Sequence, residues 1–338
     1  MTGGRRRLIS TLLGLVVSII LMWALFRKID FVELGEALKG ANYFWLLPNI
    51  FLIVASLYMR AYRWSFMIQP IKRVDFSTLS AATCIGFMAN NVLPLRLGEL
   101  ARAYSLSYQD KEISKSSSLA TIFVERMVFD LVALLLIFGV IVSITTVDIT
   151  EHMRVGIYAA IGVALVGLTF VMWLAIKPDQ AGDIISRYLR FLPERAHEMI
   201  RGITLKFSRG LEFLRQSKMV AAVGVQTVLI WLVMGLSNYF VFIAFGFDLP
   251  LEASFFLLVV VSIAILAPSS PGFVGVYHWG AAYSLMQYGI GQEQAVSFAL
   301  VLHAAQYIPV TLLGFFYLRK AHLSLTQLED DAAETVEE

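Results

Sequence analysis

An all-α polytopic membrane protein is the fold class this sequence predicts: six transmembrane helices plus two oppositely oriented re-entrant broken-helix hairpins that form an inverted repeat. Three observations predict it. Hydrophobic residues make up 58% of the 338 positions and charged residues only 15%, with a mean hydropathy of +0.72, whereas soluble domains are roughly 45–50% apolar. Six stretches approach the roughly 20 apolar residues that ~30 Å of hydrocarbon requires, at 8–26, 43–59, 124–144, 155–176, 219–247 and 295–318. Two further stretches, 77–105 and 253–290, are interrupted by proline and glycine and share a Pro-x-x-x-Gly step 177 positions apart, at Pro94/Gly98 and Pro271/Gly275.

The first span, LISTLLGLVVSIILMWALF, follows Arg5, Arg6 and Arg7 as the apolar region of a signal peptide would. It is longer than such a region and lacks a small-residue cleavage site, so it reads as a retained anchor. If the N-terminus is cytoplasmic and each irregular segment enters and leaves on one side, 22 Lys and Arg fall inside. Outside there are 4 (Arg27, Lys28, Lys39 and Arg154), and Arg126 is left within a span. The inside count includes Arg60, Arg63, Arg96 and Arg102. The positive-inside rule then places both termini in the cytoplasm, and a bacterial cytoplasmic (inner) membrane is the expected location. In the hydrophilic loop 177–218, Ile200, Ile203, Phe207, Leu211 and Leu214 recur at helical spacing, with Arg201, Lys206, Arg209 and Arg215 on other faces. That pattern predicts an amphipathic helix, lying on the inner leaflet or packed on the protein. Residues 1–320 form one domain, with repeat 1 about 43–144 and repeat 2 about 219–318. The tail 321–338 ends in EDDAAETVEE and is expected to be disordered.

The charges of the first irregular segment need an explanation. On a lipid-facing helix, Arg96, Glu99 and Arg102 would each cost roughly 2.5–3.5 kcal/mol, which a few leucines at about −0.5 kcal/mol each do not offset. The segment must face protein or water. Proline disfavours helix at the residue before it, so one half-helix ends at Leu93-Pro94, and a return half-helix over 96–105 carries Arg96, Glu99 and Arg102 along one side. Glu99 is expected to pair with one arginine and leave the other guanidinium to grip an anion. In VERMVFD the uncharged run after Asp130 is too short to span, so Glu125, Arg126 and Asp130 belong inside the membrane. Arg126 and Asp130, at i and i+4, can neutralise each other, and Glu125 calls for Arg96 or Arg102. These charges serve either a substrate or a purely structural ion-pair clamp. The second segment, LAPSSPGFVGVYHWG, offers Ser269, Ser270, backbone amides freed around Pro271, Gly272 and Gly275, and His278. His303 reads as a satisfied core histidine.

Cys84 is the only cysteine, which excludes an internal disulfide and a cysteine-based zinc cage. The chain has no H-E-x-x-H, G-x-S-x-G or G-x-x-x-x-G-K-[ST] motif. Neither an enzyme nor ATP drive, metal or cofactor is expected.

At these residues the chain resembles the transmembrane region of the lysylphosphatidylglycerol synthase/flippase family, including its stand-alone members. The resemblance rests on NNVLPLRLGELARAY (Asn90, Asn91, Pro94, Arg96, Gly98, Glu99, Arg102), ERMVFD (Glu125, Arg126, Asp130) and PSSPGFVGV (Pro268, Pro271, Gly272, Gly275), and it extends from about 8 to 320. It implies movement of a polar-headed lipid between leaflets through two inverted re-entrant elements. His278 stands where many relatives place an acidic residue, a departure that bears on proton coupling and on selectivity for cationic substrates. No room follows residue 320 for the aminoacyl-transfer domain of two-domain members, so lipid lysylation by this chain alone is not expected.

Lipid flipping is therefore the leading reading, with Asn90, Asn91, Ser269, Ser270 and the charged residues as substrate-binding groups. The alternatives are an intramembrane lipid-modifying transferase with Glu99, Glu125 or Asp130 as general base, and a membrane scaffold for lipid-pathway enzymes. Expected partners are membrane lipids and lipid-biosynthesis enzymes, not nucleic acid, and an oligomer is compatible with the sequence. Phosphatidylglycerol derivatives, polyprenyl-phosphate sugars and hopanoid-type lipids all stay open as the lipid.

Overall fold

The computed structural model describes residues 3–144 and 210–337, with scattered positions between 155 and 173; its regular elements are all helices. Helix α1 (Gly3–Phe26) gives way to α2 (Phe31–Gly40) at a turn of 90°. Asp30 closes that turn by accepting hydrogen bonds from the N–H groups of Val32 and Glu33 at 2.7 and 3.3 Å, as an N-cap does. Then come α3 (Leu46–Ile68), α4 (Phe76–Val92), a 3-10 turn Pro94–Arg96, α5 (Gly98–Gln109) and α6 (Lys115–Val124). A π-helical turn, Glu125–Asp130, joins α6 to α7 (Leu131–Ile144). After residue 210 the chain forms α8 (Ser217–Ala244), α9 (Leu251–Ala264), a 3-10 turn Pro271–Phe273, α10 (Val276–Met286), α11 (Gln292–Lys320) and α12 (Leu325–Glu337).

The two sets of elements correspond along the chain. A shift of 177 positions carries the turn 94–96 onto 271–273, Gly98 onto the Gly275 that precedes α10, and the start of α6 at Lys115 onto the start of α11 at Gln292. Helix α3 packs along α8, its counterpart at that shift, the two 3-10 turns touch each other, and α4 lies against α11. Each half has its own apolar core: one gathers Trp64, Met67, Ile68, Leu79 and Leu106, the other Phe242, Leu257, Phe298 and Leu302.

Three helices among the described residues are long and apolar enough to cross a membrane, Tyr43–Ile68, Ser217–Ala244 and Gln292–Lys320, and the bent α1–α2 pair makes up to four. The expected span 124–144 is divided by the π-helical turn. The span 155–176, apart from isolated positions, and the loop 177–218 up to residue 209 lie outside the described residues.

Two expectations are corrected. Helix α3 runs on to Ile68, beyond the stretch ending at 59, and takes Arg60 and Arg63 inward, where they are 4% and 0% exposed. A hydropathy count treats arginine as the edge of a span, whereas these two find carboxylate partners inside. The acidic tail, expected to be disordered, forms helix α12 against α5. Ser324 and Gln327 make a reciprocal capping box: the Gln327 N–H donates to Ser324 Oγ at 3.2 Å and the Ser324 N–H donates to Gln327 Oε1 at 2.9 Å. Leu328 is fully buried with Leu318 and Leu323 beside Tyr104 and Tyr108, and Lys115 pairs with Asp331. Losing a buried leucine costs about 2–5 kcal/mol, enough to shift a local opening equilibrium by at least about tenfold. Leu328→Asp should therefore speed tryptic removal of the tail after Arg319 or Lys320 by that factor, and an unchanged rate would show that this contact does not hold α12.

Candidate functional site

The first break follows from its proline. Leu93 is extended (φ −83, ψ 146), as the residue before proline prefers, and Pro94 opens the 3-10 turn. Arg96 then takes a left-handed φ of 57, so helix resumes only at Gly98. Gly98 lets α5 close onto α4: a Cβ there would sit 2.3 Å from Gly86 O and from Asn90 Cγ. Asn90 Oδ1 accepts the Gly98 N–H at 2.9 Å, satisfying one of the free donors at the start of α5. Gly98→Ala should destabilise the protein by about 1–3 kcal/mol through overpacking, seen as a lower melting temperature in detergent; an unchanged one would contradict the close approach of α4 and α5.

The second break is clamped by α1. Gly272, Phe273 and Gly275 all have positive φ, at 72, 60 and 89. Ser18 Oγ donates to Val274 O at 2.7 Å, accepts the Ser270 N–H at 2.9 Å and lies 3.0 Å from Ser270 Oγ. A Cβ on Gly14 would meet Ser269 O at 2.6 Å, so α1 runs backbone to backbone with this turn. The breaks meet at Arg96, whose Nη2 donates to Ala267 O at 2.8 Å and whose guanidinium lies 5.0 Å from the Phe273 ring. Arg96 and Phe273 are themselves 177 positions apart and share the left-handed conformation. A cleft of ≈220 Å³ opens between the breaks, lined by Asn90, Pro94, Arg96, Ser269, Ser270 and Pro271 among others.

The charged residues assemble deeper in. A turn closed by i→i+5 hydrogen bonds brings residues five apart toward one side, and the π-helical turn buries both Glu125 and Asp130, 0% and 6% exposed. Arg63 lies between them: Nη1 donates to Asp130 Oδ1 at 2.6 Å and to Thr227 Oγ1 at 2.8 Å, and Nη2 lies 2.8 Å from Glu125 Oε1. Arg102 Nη1 donates to Glu125 Oε1 at 3.0 Å, and its guanidinium stacks 4.0 Å from the Trp64 ring. Arg126 Nη1 donates to Asp130 Oδ2 at 3.2 Å, and Arg60 Nη1 is 3.7 Å from the same oxygen. Among the described residues, arginines 60, 63, 102 and 126 thus share Glu99, Glu125 and Asp130, leaving one positive charge in excess.

The pairings of Arg126 with Asp130 and of Arg102 with Glu125 are those the sequence predicts. Glu99 is different: its ion pair is with Arg126, at 3.5 Å, and Asn90 Nδ2 lies 3.4 Å from it, so neither Arg96 nor Arg102 is its partner. Because Arg96 sits in the turn rather than on α5, the expected row of Arg96, Glu99 and Arg102 along one helix side does not form. Asn91 faces away from Asn90 and donates to Thr311 Oγ1 at 2.9 Å. Gly272 is buried against the Tyr307 ring, and Gly275 packs on the backbone of Ser18. His278 does not line the cleft; its Nδ1 accepts the Gly275 N–H at 3.3 Å and its ring meets that of His303 at 4.7 Å. Sequence reasoning missed Arg60 and Arg63 as site residues, although their i, i+3 spacing in YMRAYRW was a signal, and it missed Ser18 and Phe273, which carry none.

The chain is 24% identical over 359 residues to the glycosyltransferase AglD of Haloferax volcanii, an alignment that takes in 97% of this chain and 57% of that protein. It is 26% identical over 319 residues to a UPF0104 membrane protein of Methanothermobacter thermautotrophicus, covering 89% and 90% of the two chains. The UPF0104 membrane protein MJ1078 of Methanocaldococcus jannaschii is 23% identical over 233 residues, 68% of this chain and 93% of that one. No solved structure matches the chain. A family model described as the lysylphosphatidylglycerol synthase TM region matches residues 11–314, most of the sequence, and the chain belongs to that family as an integral membrane protein with a lipid-related function.

Proposed function

We propose that the chain moves a polar-headed, anionic lipid or lipid-linked intermediate between membrane leaflets. The observation that supports this best is the meeting of the two proline-broken turns around a polar cleft that contains Arg96, beside a buried cluster with more arginine than carboxylate. A lipid phosphate crossing hydrocarbon alone bears the full cost of a desolvated charge. Here Arg96 and the polar groups of the turns replace water around the headgroup, while the acyl chains stay in the bilayer. In this reading the elements related by the 177-residue shift form an inverted repeat of two re-entrant hairpins among six spans. In the same reading the one-sided excess of Lys and Arg favours cytoplasmic termini in an inner membrane, with lipid-biosynthesis enzymes as suppliers of the substrate.

Group transfer to a lipid is the second reading, favoured by the name of the Haloferax relative. Among the described residues of the cluster, its most accessible base is Glu99. Glu125 and Asp130 are buried and each held by two or more arginines, whereas Glu99, with a 36% exposed side chain, is held by Arg126 alone at 3.5 Å.

Reconstitution into vesicles carrying fluorescent phosphatidylglycerol separates the readings. Flipping makes the inner-leaflet probe accessible to a membrane-impermeant quencher faster than in protein-free vesicles, with the lipid recovered unchanged. A chemically new lipid would favour transfer, and folded protein without acceleration would count against flipping of this lipid.

A further inference from the structure

A second cavity, of ≈160 Å³, lies inward of the cleft. Its mainly apolar wall includes Arg60, Asn91, Tyr277, His303, Gln306 and Tyr307. Most of these polar side chains are already engaged. The Tyr277 hydroxyl donates to Gln306 Oε1 at 2.8 Å, Gln306 Nε2 donates to Asn238 Oδ1 at 3.0 Å, and the Tyr307 hydroxyl donates to Asn91 O at 3.4 Å. His303 stacks on Tyr277 at 4.6 Å.

Arg60 is the exception. It is 4% exposed, its Nη1 makes no hydrogen bond and stands 3.7 Å from Asp130 Oδ2, and its Nη2 is 2.8 Å from Met234 Sδ, a weak acceptor. Its guanidinium lies 5.3 Å from the Phe87 ring. A buried cation with unused donors is costly, and the cluster it belongs to carries one positive charge too many. An anion in this cavity would answer both.

Phe273 forms part of both walls, cleft and cavity. It holds a left-handed φ of 60 that bulky side chains rarely adopt, with Arg96 on its ring. We infer that the inner cavity is a second anion site, in which Arg60 binds the phosphate of a headgroup of net negative charge, and that Phe273 divides it from the first site at Arg96. The lipid identity of that anion rests on the translocation reading; its charge does not.

Native mass spectrometry of the purified full chain tests this with dioleoylphosphatidylglycerol, dioleoylphosphatidylcholine and inorganic phosphate as probes. Wild type should retain phosphatidylglycerol over phosphatidylcholine. Arg60→Gln should weaken that retention by about tenfold or more, as loss of charge-assisted hydrogen bonds does. Arg60→Lys keeps the charge beside Asp130 and loses the planar fork, so it should fold and still bind several-fold more weakly. It decides the matter if Arg60→Gln does not fold. A folded Arg60→Lys with wild-type affinity and wild-type preference overturns the inference. Competition by inorganic phosphate that Arg60→Lys weakens supports the anion site with free phosphate rather than lipid as its occupant. If Arg60 governs binding and wild type moves no lipid in vesicles, the translocation reading falls alone; if lipid moves and binding ignores Arg60, this inference falls alone.

Discussion

Arg63→Ala is expected to leave little folded protein. Arg63 is fully buried and touches both buried carboxylates, Asp130 at 2.6 Å and Glu125 at 2.8 Å. Removing one partner of a buried ion pair strands the other's charge at about 3–5 kcal/mol, a large part of the 5–15 kcal/mol that holds a typical protein together. Arg60, Arg102 and Arg126 stay beside these acids, but only Arg63 bridges both and makes the shortest contact to each, so its loss opens the middle of the cluster and leaves the acids under-bonded. Replacing cation and anion together, as Arg63→Gln with Asp130→Asn, removes one charge of each sign and should recover part of the loss, a coupling of about 1–3 kcal/mol. Melting temperature and yield in detergent measure it. A wild-type melting temperature for Arg63→Ala would show that the cluster is not the clamp its distances describe.

Arg96→Ala is expected to do the reverse, leaving stability near wild type while translocation falls by about tenfold or more. Arg96 is only half-buried, and among the described residues its hydrogen bond goes to the Ala267 carbonyl and no carboxylate forms an ion pair with it. Its stacking on Phe273 contributes about 0.5–1 kcal/mol at a partly exposed site. A guanidinium gripping a phosphate through two donors contributes more, and Arg96→Lys, keeping the charge without the fork, should fall between. Melting temperature and the vesicle assay on the same preparations decide. Wild-type transport by a well-folded Arg96→Ala protein would remove the cleft from the mechanism.

What the sequence made legible was local. Proline and glycine act on their own residue and its neighbour, so both breaks could be placed at Pro94 and Pro271, and the i, i+4 pair Arg126–Asp130 followed from helical spacing. Long-range partnership was not legible. Arg63 meets Asp130 and Thr227 from 67 and 164 positions away, and its i, i+3 spacing with Arg60, the one local signal, names neither partner. The left-handed turn at Arg96 was hidden for the opposite reason: the sequence supports helix there, and the turn forms because it packs against the second break. In the tail, charge composition outweighed the Ser324/Gln327 cap and the apolar Leu325 and Leu328, which together specify a docked helix.

The contact of Arg96 with Phe273 departs from symmetry. Positions 96 and 273 correspond under the 177-residue shift and share one backbone conformation, so their contact joins equivalents. Were the halves identical copies, that position could meet only itself, and two guanidiniums would repel across it. A cation over a ring requires the two positions to differ, as they do here. The same division runs deeper: Arg126 and Asp130 of the first half correspond to His303 and Tyr307 of the second. One set of elements carries charge where the other carries aromatic rings, so repeating either set alone would lose the Arg96–Phe273 contact.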